Sequence, residues 1–234
     1  MLGDAKMSAT NLDALVRPAL DYGPRPTPAQ GLYETLLVED DRAVLLEEHL
    51  ERLAASFKEV YGGVLDRGAL SAAIRETAAG CGGLRSRLRI ELDPDGSFEL
   101  AAVAAGERSL ETVVLAPFAL PGGIGAHKWR DRRLMDALGA AAEGCMPLLL
   151  DADGTVLEAA RANVWVREGE ALLTPPADGR ILPGVSRAEL LAADPNAREQ
   201  GFDLARLARA DEVFLTGSVA GRRPARLVTA ALGR

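Results

Sequence analysis

Apart from one well-marked helix, the apolar residues of this 234-residue chain come in short runs, each closed by a turn of glycine, proline or acidic residues. That patterning is the strongest constraint on its fold, because short turn-bounded runs favour strands mixed with a few helices. Leu32–Val38 and Ala43–Leu46 flank the turn Glu39-Asp40-Asp41-Arg42 and read as two strands. The helix is Glu47–Tyr61: Leu50, Leu53, Ala54, Phe57 and Val60 form its buried stripe, His49, Arg52 and Ser56 share another face, and Gly62-Gly63 ends it. Ser71–Ala79 reads as a second short helix. Arg87–Leu92 and Phe98–Val103 form a hairpin across Pro94-Asp95-Gly96, and Thr112–Ala116 is a further strand.

The glycine-rich run Leu120–Gly125 is the expected boundary between two domains. Residues 1–30, with Pro18, Pro24, Pro26 and Pro28, read as an irregular arm or linker. Residues 31–119 are then a small N-terminal α+β domain, 120–125 the interdomain loop, and 126–234 a larger C-terminal domain. In that second part helices are expected at Arg133–Glu143, from Ser186, and at Asp203–Ala208. Strands are expected at Pro147–Leu150, Val156-Leu157, Asn163–Val166, Ala171–Thr174, Glu212–Thr216 and Ala225–Thr229. The whole is α with mostly antiparallel β in two parts, not a regular βαβ alternation.

Thirty-four acidic against 27 basic residues give a formal charge of −7, which argues against a partner such as nucleic acid or an anionic membrane surface. No apolar run approaches the roughly 20 residues of a membrane span, and the start of the chain has no signal pattern, so a cytoplasmic location is expected. Cys81 and Cys145 stand alone and there are two histidines, so no metal site is expected. Among the basic residues only Lys6, Lys58 and Lys128 are lysine. Arginine cannot form an imine and lysine can, so lysine-dependent chemistry has three candidates. Lys6 falls in the arm and Lys58 in the helix, whereas Lys128 follows the glycine-rich boundary, where a cleft between domains desolvates a lysine into a nucleophile. Glu158 follows a tight turn and is a carboxylate able to keep a proton on a ring nitrogen. Three features suit an anion: the segment Leu182–Glu189, where Ser186 and Glu189 match a capping box after Gly184; the loop Leu215–Gly221; and Arg52.

Taken in order, seven segments resemble the fold-type-IV pyridoxal-phosphate enzymes, the family of branched-chain aminotransferases, D-amino acid aminotransferases and aminodeoxychorismate lyases. They are Gly31–Leu36, His49–Leu53, His127–Arg132, Leu157–Trp165, Thr174–Pro176, Gly179–Arg187 and Asp211–Ser218. The resemblance implies a two-domain α+β fold with a small N-terminal domain and a larger C-terminal pseudo-barrel, pyridoxal 5′-phosphate as cofactor, and a homodimer. By the same resemblance Lys128 holds the cofactor as an imine and serves as acid and base, and Glu158 pairs with the pyridine nitrogen. Arg52, the amides of Val185 and Ser186, and the Ser218 hydroxyl bind the phosphate. Tyr33 lines the substrate pocket, Thr35 offers a hydroxyl for proton transfer, and Arg89, Arg130 and Arg222 are candidates for substrate carboxylates. The run Lys128-Trp129-Arg130-Asp131-Arg132 and the stretch Gly31–Arg52 look most like the lyase half of fused aminodeoxychorismate synthase–lyase chains, with Asp21–Gln30 resembling their linker. The implied small-molecule substrate is aminodeoxychorismate, cleaved to pyruvate and 4-aminobenzoate on the folate route, with the synthase upstream. Aminotransferase chemistry on the same fold is the alternative, and a non-catalytic ligand-binding homologue stands behind both.

Overall fold

The structure is a computed structural model that describes residues 12–228. Two sheets organise it. The smaller is built from β2 (Leu32–Glu39), β3 (Arg42–Ala43), β4 (Ser86–Leu92) and β5 (Phe98–Ala104), in the antiparallel order β3-β2-β4-β5. The strand period of two sorts its side chains. Leu32, Leu36 and Val38 of β2 and Leu88, Ile90 and Leu92 of β4 are buried in one core with Leu50, Leu53 and Phe57 of helix α1 (Leu46–Tyr61) and Leu70 and Ile74 of α2 (Arg67–Ala79). Each such burial is worth about 1.5–3 kcal/mol. Tyr33, Thr35, Arg87 and Arg89 therefore leave the sheet on the opposite face. The return strand expected at Ala43–Leu46 is shorter. Leu45 adopts a left-handed backbone (φ 52), which ends the extended run and lets α1 begin at Leu46.

The larger sheet has nine strands in the order β11-β10-β9-β12-β13-β6-β7-β8, with β1 against β6. Its members are β1 (Arg17–Pro18), β6 (Val113–Ala119), β7 (Met146–Leu150), β8 (Val156–Ala159), β9 (Asn163–Glu168), β10 (Ala171–Thr174), β11 (Ala197–Glu199), β12 (Glu212–Gly217) and β13 (Gly221–Leu227). Three helices accompany it: α3 (Arg133–Ala141), α4 (Val185–Ala193) and α5 (Leu204–Arg209). This sheet is mixed, since β6 runs parallel to β1, β7 and β13, and β10 runs parallel to β11, while over the two sheets together antiparallel pairs outnumber parallel ones as expected. Strand β6 is buried on both faces, with Val113 and Leu115 in one core and Ala116 and Phe118 in another, and so reads as a continuous apolar run.

That membership of β6 corrects the expected boundary. The chain passes between the sheets at residues 105–112, after β5 and before β6, not at Leu120–Gly125. The glycines of the latter run meet a close approach instead. Gly123 (φ +64) lies so near the Arg180 carbonyl that a Cβ there would fall 2.0 Å from its oxygen. The Gly125 amide donates to the same oxygen, the Gly122 amide donates to Asp151, and Arg25 donates to the carbonyls of Pro121 and Gly123.

The arm also differs from expectation. Its first eleven residues, Lys6 among them, lie outside the described residues, but from Leu12 onward it is docked on the larger sheet. Leu12 and Leu15 are buried in the same core as Val113 and Leu115, and Arg17 and Pro18 pair with Phe118 and Ala119. The Arg17 guanidinium stacks 4.3 Å from the Phe118 ring centroid and donates to the Ala141 carbonyl. The arm, rich in proline, holds only a two-residue strand and short 3₁₀ turns, and it is docked all the same.

Candidate active site

A cavity of about 720 Å³ opens between the sheets. Its walls are the outer face of β2 and β4, the segment leading into α3, the end of β8, the start of α4 and the β12–β13 turn. Lys128 is set into it by the backbone around it. The Lys128 carbonyl accepts the Tyr33 amide at 2.9 Å, the Arg130 amide donates to the Gly31 carbonyl at 3.1 Å, and Trp129 bridges to Leu32. The segment is thus an extra piece of antiparallel pairing on the opening of β2. The Lys128 Nζ stands 4.7 Å from the Tyr33 ring centroid. The Tyr33 hydroxyl accepts from Arg132 at 3.2 Å, and the Arg89 guanidinium lies 4.2 Å from the ring, so Tyr33 carries cations around its face and at its tip.

Glu158, in β8, lies on the larger-sheet side of the cavity at 8% exposure. Burial pushes its carboxyl up to about 8, although an amide from Leu182 at 3.3 Å and the positive charges of Lys128, Arg132 and Arg52 pull the other way. A buried acid with one weak amide partner and no cation in contact is an incomplete pair. A protonated ring nitrogen placed beside it completes the pair, so the residues present fit pyridoxal phosphate at this end.

The opposite pole is built for an anion. Helix α4 begins here, and its cap is Gly184, not Ser186. The capping box is therefore not formed: Ser186 lies inside the first turn and lines the cavity, while Glu189 is exposed. The free amides at this helix start remain available. Gly184 is required by contact, because a Cβ there would fall 1.9 Å from the Asn163 Oδ1. The Asn163 Nδ2 in turn donates to the Leu182 carbonyl at 3.0 Å, fastening the loop to β9. Ser218 lines the cavity from the β12–β13 turn, above the buried Trp165–Phe214 stack and the hydrogen bond from Trp165 to Thr216 that hold β9 and β12 together.

Arg52 completes this pole through a group that sequence reasoning passed over. Its Nε and Nη2 both donate to Glu34, at 2.8 Å each, and its Nη1 donates to the Pro183 carbonyl at 3.0 Å. His49 Nδ1 is 2.9 Å from the same carboxylate. Glu34 is 1% exposed; burial pushes its carboxyl up, but Arg52, His49 and Lys128 outweigh that and hold it at about 2. One edge of the guanidinium is thereby fixed on Glu34, leaving the Nη1 side at the loop before α4. The signal was present in the sequence: Glu34 is a charge in the register of Leu32 and Leu36, where the core face should be apolar, and His49 and Arg52 are three residues apart on one helix.

Tyr33, Thr35, Arg52, Arg89, Lys128, Glu158, Val185, Ser186 and Ser218 all line the one cavity. Two expected residues do not. Arg130 is turned to Glu91 and Asp93, at 2.8 and 2.6 Å, and Arg222 pairs with Glu212 and lies over the Phe214 ring. Each is held by nearby carboxylates away from the cavity. Among the described residues no group of acidic, histidine and cysteine side chains is arranged to hold a metal, and no helix is long and apolar enough to cross a membrane.

Residues 126–228 match the family described as amino-transferase class IV. Branched-chain-amino-acid aminotransferase 1, mitochondrial, of Arabidopsis thaliana is 35% identical over 80 residues, 32% of this chain, and the match spans only 21% of that relative's length. Among solved structures, the pyridoxal-phosphate-bound form of a hypothetical aminotransferase from Mycobacterium tuberculosis superposes with a TM-score of 0.77 at 22% identity, over 100% of this chain and 89% of that one. The 4-amino-4-deoxychorismate lyase from Pseudomonas aeruginosa does so with a TM-score of 0.70 at 24% identity, over 91% of each. The fold is that of the fold-type-IV pyridoxal-phosphate enzymes. The match to the class IV aminotransferase family is confined to residues 126–228, and the cofactor of that fold family is pyridoxal 5′-phosphate.

Proposed function

We propose that this chain is a 4-amino-4-deoxychorismate lyase, releasing pyruvate and leaving 4-aminobenzoate. The meeting of Lys128 and Glu158 in a cavity whose other pole is the α4 start beside Arg52 supports pyridoxal-phosphate chemistry, and the run Lys128-Trp129-Arg130-Asp131-Arg132, which resembles that of the lyases, favours elimination. Bound pyridoxal phosphate supplies an electron sink for a substrate amine. Lys128 anchors it. Arg52, the Val185 and Ser186 amides and the Ser218 hydroxyl grip its phosphate, and Glu158 holds the proton on its ring nitrogen. The Lys128 Nζ then takes the proton from the ring carbon bearing the amine, in a space walled by Tyr33 that keeps water away from the base. The C–O bond to the enolpyruvyl group breaks, that group leaves as pyruvate, and the ring becomes aromatic, which drives the elimination. Thr35, on the same face of β2 as Tyr33, offers the hydroxyl that relays a proton to the leaving group.

Fold-type-IV aminotransferase activity is the second reading, favoured by the local 35% identity to the plant aminotransferase. The two readings share Lys128, Glu158 and Arg52 and differ in product. Protein loaded with pyridoxal phosphate and given aminodeoxychorismate is expected to form 4-aminobenzoate with no keto acid added. Amino transfer to 2-oxoglutarate without an aromatic product establishes the aminotransferase instead. The location is proposed to be the cytoplasm, and the acting form a homodimer supplied by an aminodeoxychorismate synthase.

A further inference from the structure

The cavity is strongly cationic in a chain whose net charge is −7. Eight arginines and Lys128 line it, against four carboxylates. Four of those arginines are committed to acids: Arg52 to Glu34, Arg85 and Arg108 to Glu39, and Arg89 to Glu91. The other four, Arg87, Arg132, Arg161 and Arg223, form no ion pair among the described residues.

They stand on two walls. Arg87 shares a face of β4 with Arg89, opposite the strand that carries Tyr33 and Thr35, and Arg132 reaches the Tyr33 hydroxyl. Arg161 and Arg223 form the second wall, at the mouth of the larger sheet. Gly217 pairs with Gly221 and Leu215 with Arg223, while the Arg161 carbonyl lies 3.5 Å from where a Cβ on Gly217 would stand. The turn after β8 is thereby brought against the β12–β13 ribbon. Both side chains also line a groove of about 570 Å³ that adjoins the cavity, with Asp136, which pairs with neither. The Arg223 Nε is buried with no hydrogen-bond partner, and its Nη2 donates only to the Glu111 carbonyl, at 3.2 Å. Leaving a buried guanidinium nitrogen unpaired is costly, and the fork of an arginine matches a carboxylate.

We infer that Arg161 and Arg223 form a carboxylate subsite remote from the reacting amine, so that the cavity takes an amine bearing two carboxylates. The inference rests on the proposal that Lys128 handles the substrate amine, and it adds a specificity device to it. Arg132 and Arg87, on the Tyr33 wall, take the other carboxylate, and the substrate spans the two walls across Lys128.

Two amine-free probes test this in the cofactor-loaded protein: 3-(carboxymethoxy)benzoate, with two carboxylates, and 3-methoxybenzoate, with one. Isothermal titration is expected to show the dicarboxylate bound about tenfold more tightly, the equivalent of one charge-assisted pair. In Arg161→Gln and in Arg223→Gln that preference falls below about threefold, while 3-methoxybenzoate affinity stays within about twofold, which also reports an intact cavity. Arg161→Lys retains part of the preference. Equal affinity for both probes in the unsubstituted protein, or a preference that survives both glutamine variants, overturns the subsite. The outcome is separable from that of the lyase reading. Formation of 4-aminobenzoate without probe preference keeps the activity and removes the subsite. Probe preference without 4-aminobenzoate keeps the subsite and assigns the chemistry to another dicarboxylic amine.

Discussion

Glu34 and Glu158 are both buried glutamates near Lys128, yet their surroundings drive them to opposite charge states. Glu34 has a guanidinium fork and an imidazole within hydrogen-bond reach and stays ionised, at about 2. Its folded value lies below the unfolded 4.5, so it contributes stability that is present above about pH 4.5 and lost as the pH falls towards 2, about 3 kcal/mol in all. Glu34→Gln removes the ionic anchor of Arg52. We expect it to weaken pyridoxal phosphate binding by about tenfold to a hundredfold, read by titration of the visible band, and to make stability less sensitive to acid below pH 4.5. Unchanged cofactor affinity in this variant refutes a positioning role. Glu158 has the reverse sign. Its folded value of about 8 lies above 4.5, so its contribution is present below pH 4.5 and is lost as the pH rises through 8, about 5 kcal/mol from this group alone. The melting temperature of cofactor-free protein should therefore fall between pH 5 and 8.5, and Glu158→Gln should flatten that fall. An equal slope in both proteins contradicts the assigned burial effect.

At the scale of elements, the anion pole depends on how closely loops approach one another. Gly184→Ala places a methyl group against Asn163, so the loop before α4 must shift away from β9. Cofactor affinity is expected to fall by about tenfold or more with a smaller change in overall stability, since the loop itself is not a strand of the sheet. Wild-type affinity in Gly184→Ala shows that the loop position does not matter. Most of these elements were legible in the sequence because alternation and helical spacing report burial directly: α1, the β4–β5 hairpin and strands β8, β9, β10 and β12 fall near their expected places, whereas the short β11 was not expected. What was not legible came from long-range partners. Nothing local in Val113–Ala119 states that it pairs with β13 and β7 rather than with β5, and nothing in Ser186 states that Gly184 takes the cap. Arg130 and Arg222 have the right residue type for a substrate carboxylate, but their acidic neighbours, Asp93 and Glu212, hold them elsewhere.

For the whole molecule, one lysine is asked to do all the covalent chemistry. Lys58 lies on α1, outside the cavity lining, and Lys128 is in the cavity between the sheets. Borohydride treatment of the cofactor-loaded protein should leave the pyridoxyl mass on the peptide containing Lys128. Finding it on a peptide carrying Lys6 or Lys58 removes Lys128 from its role. The docked arm and the passage at 105–112 join the sheets around the cavity, so the site belongs to the folded chain as a whole rather than to either sheet. The most direct test is the simultaneous measurement of pyruvate and 4-aminobenzoate from aminodeoxychorismate, with Lys128→Ala in parallel. The account predicts the two products in equal amounts and a rate lowered by about 10²–10⁴-fold or more in the variant. A transferred amino group in place of 4-aminobenzoate, or a Lys128→Ala protein as fast as the unsubstituted one, contradicts it.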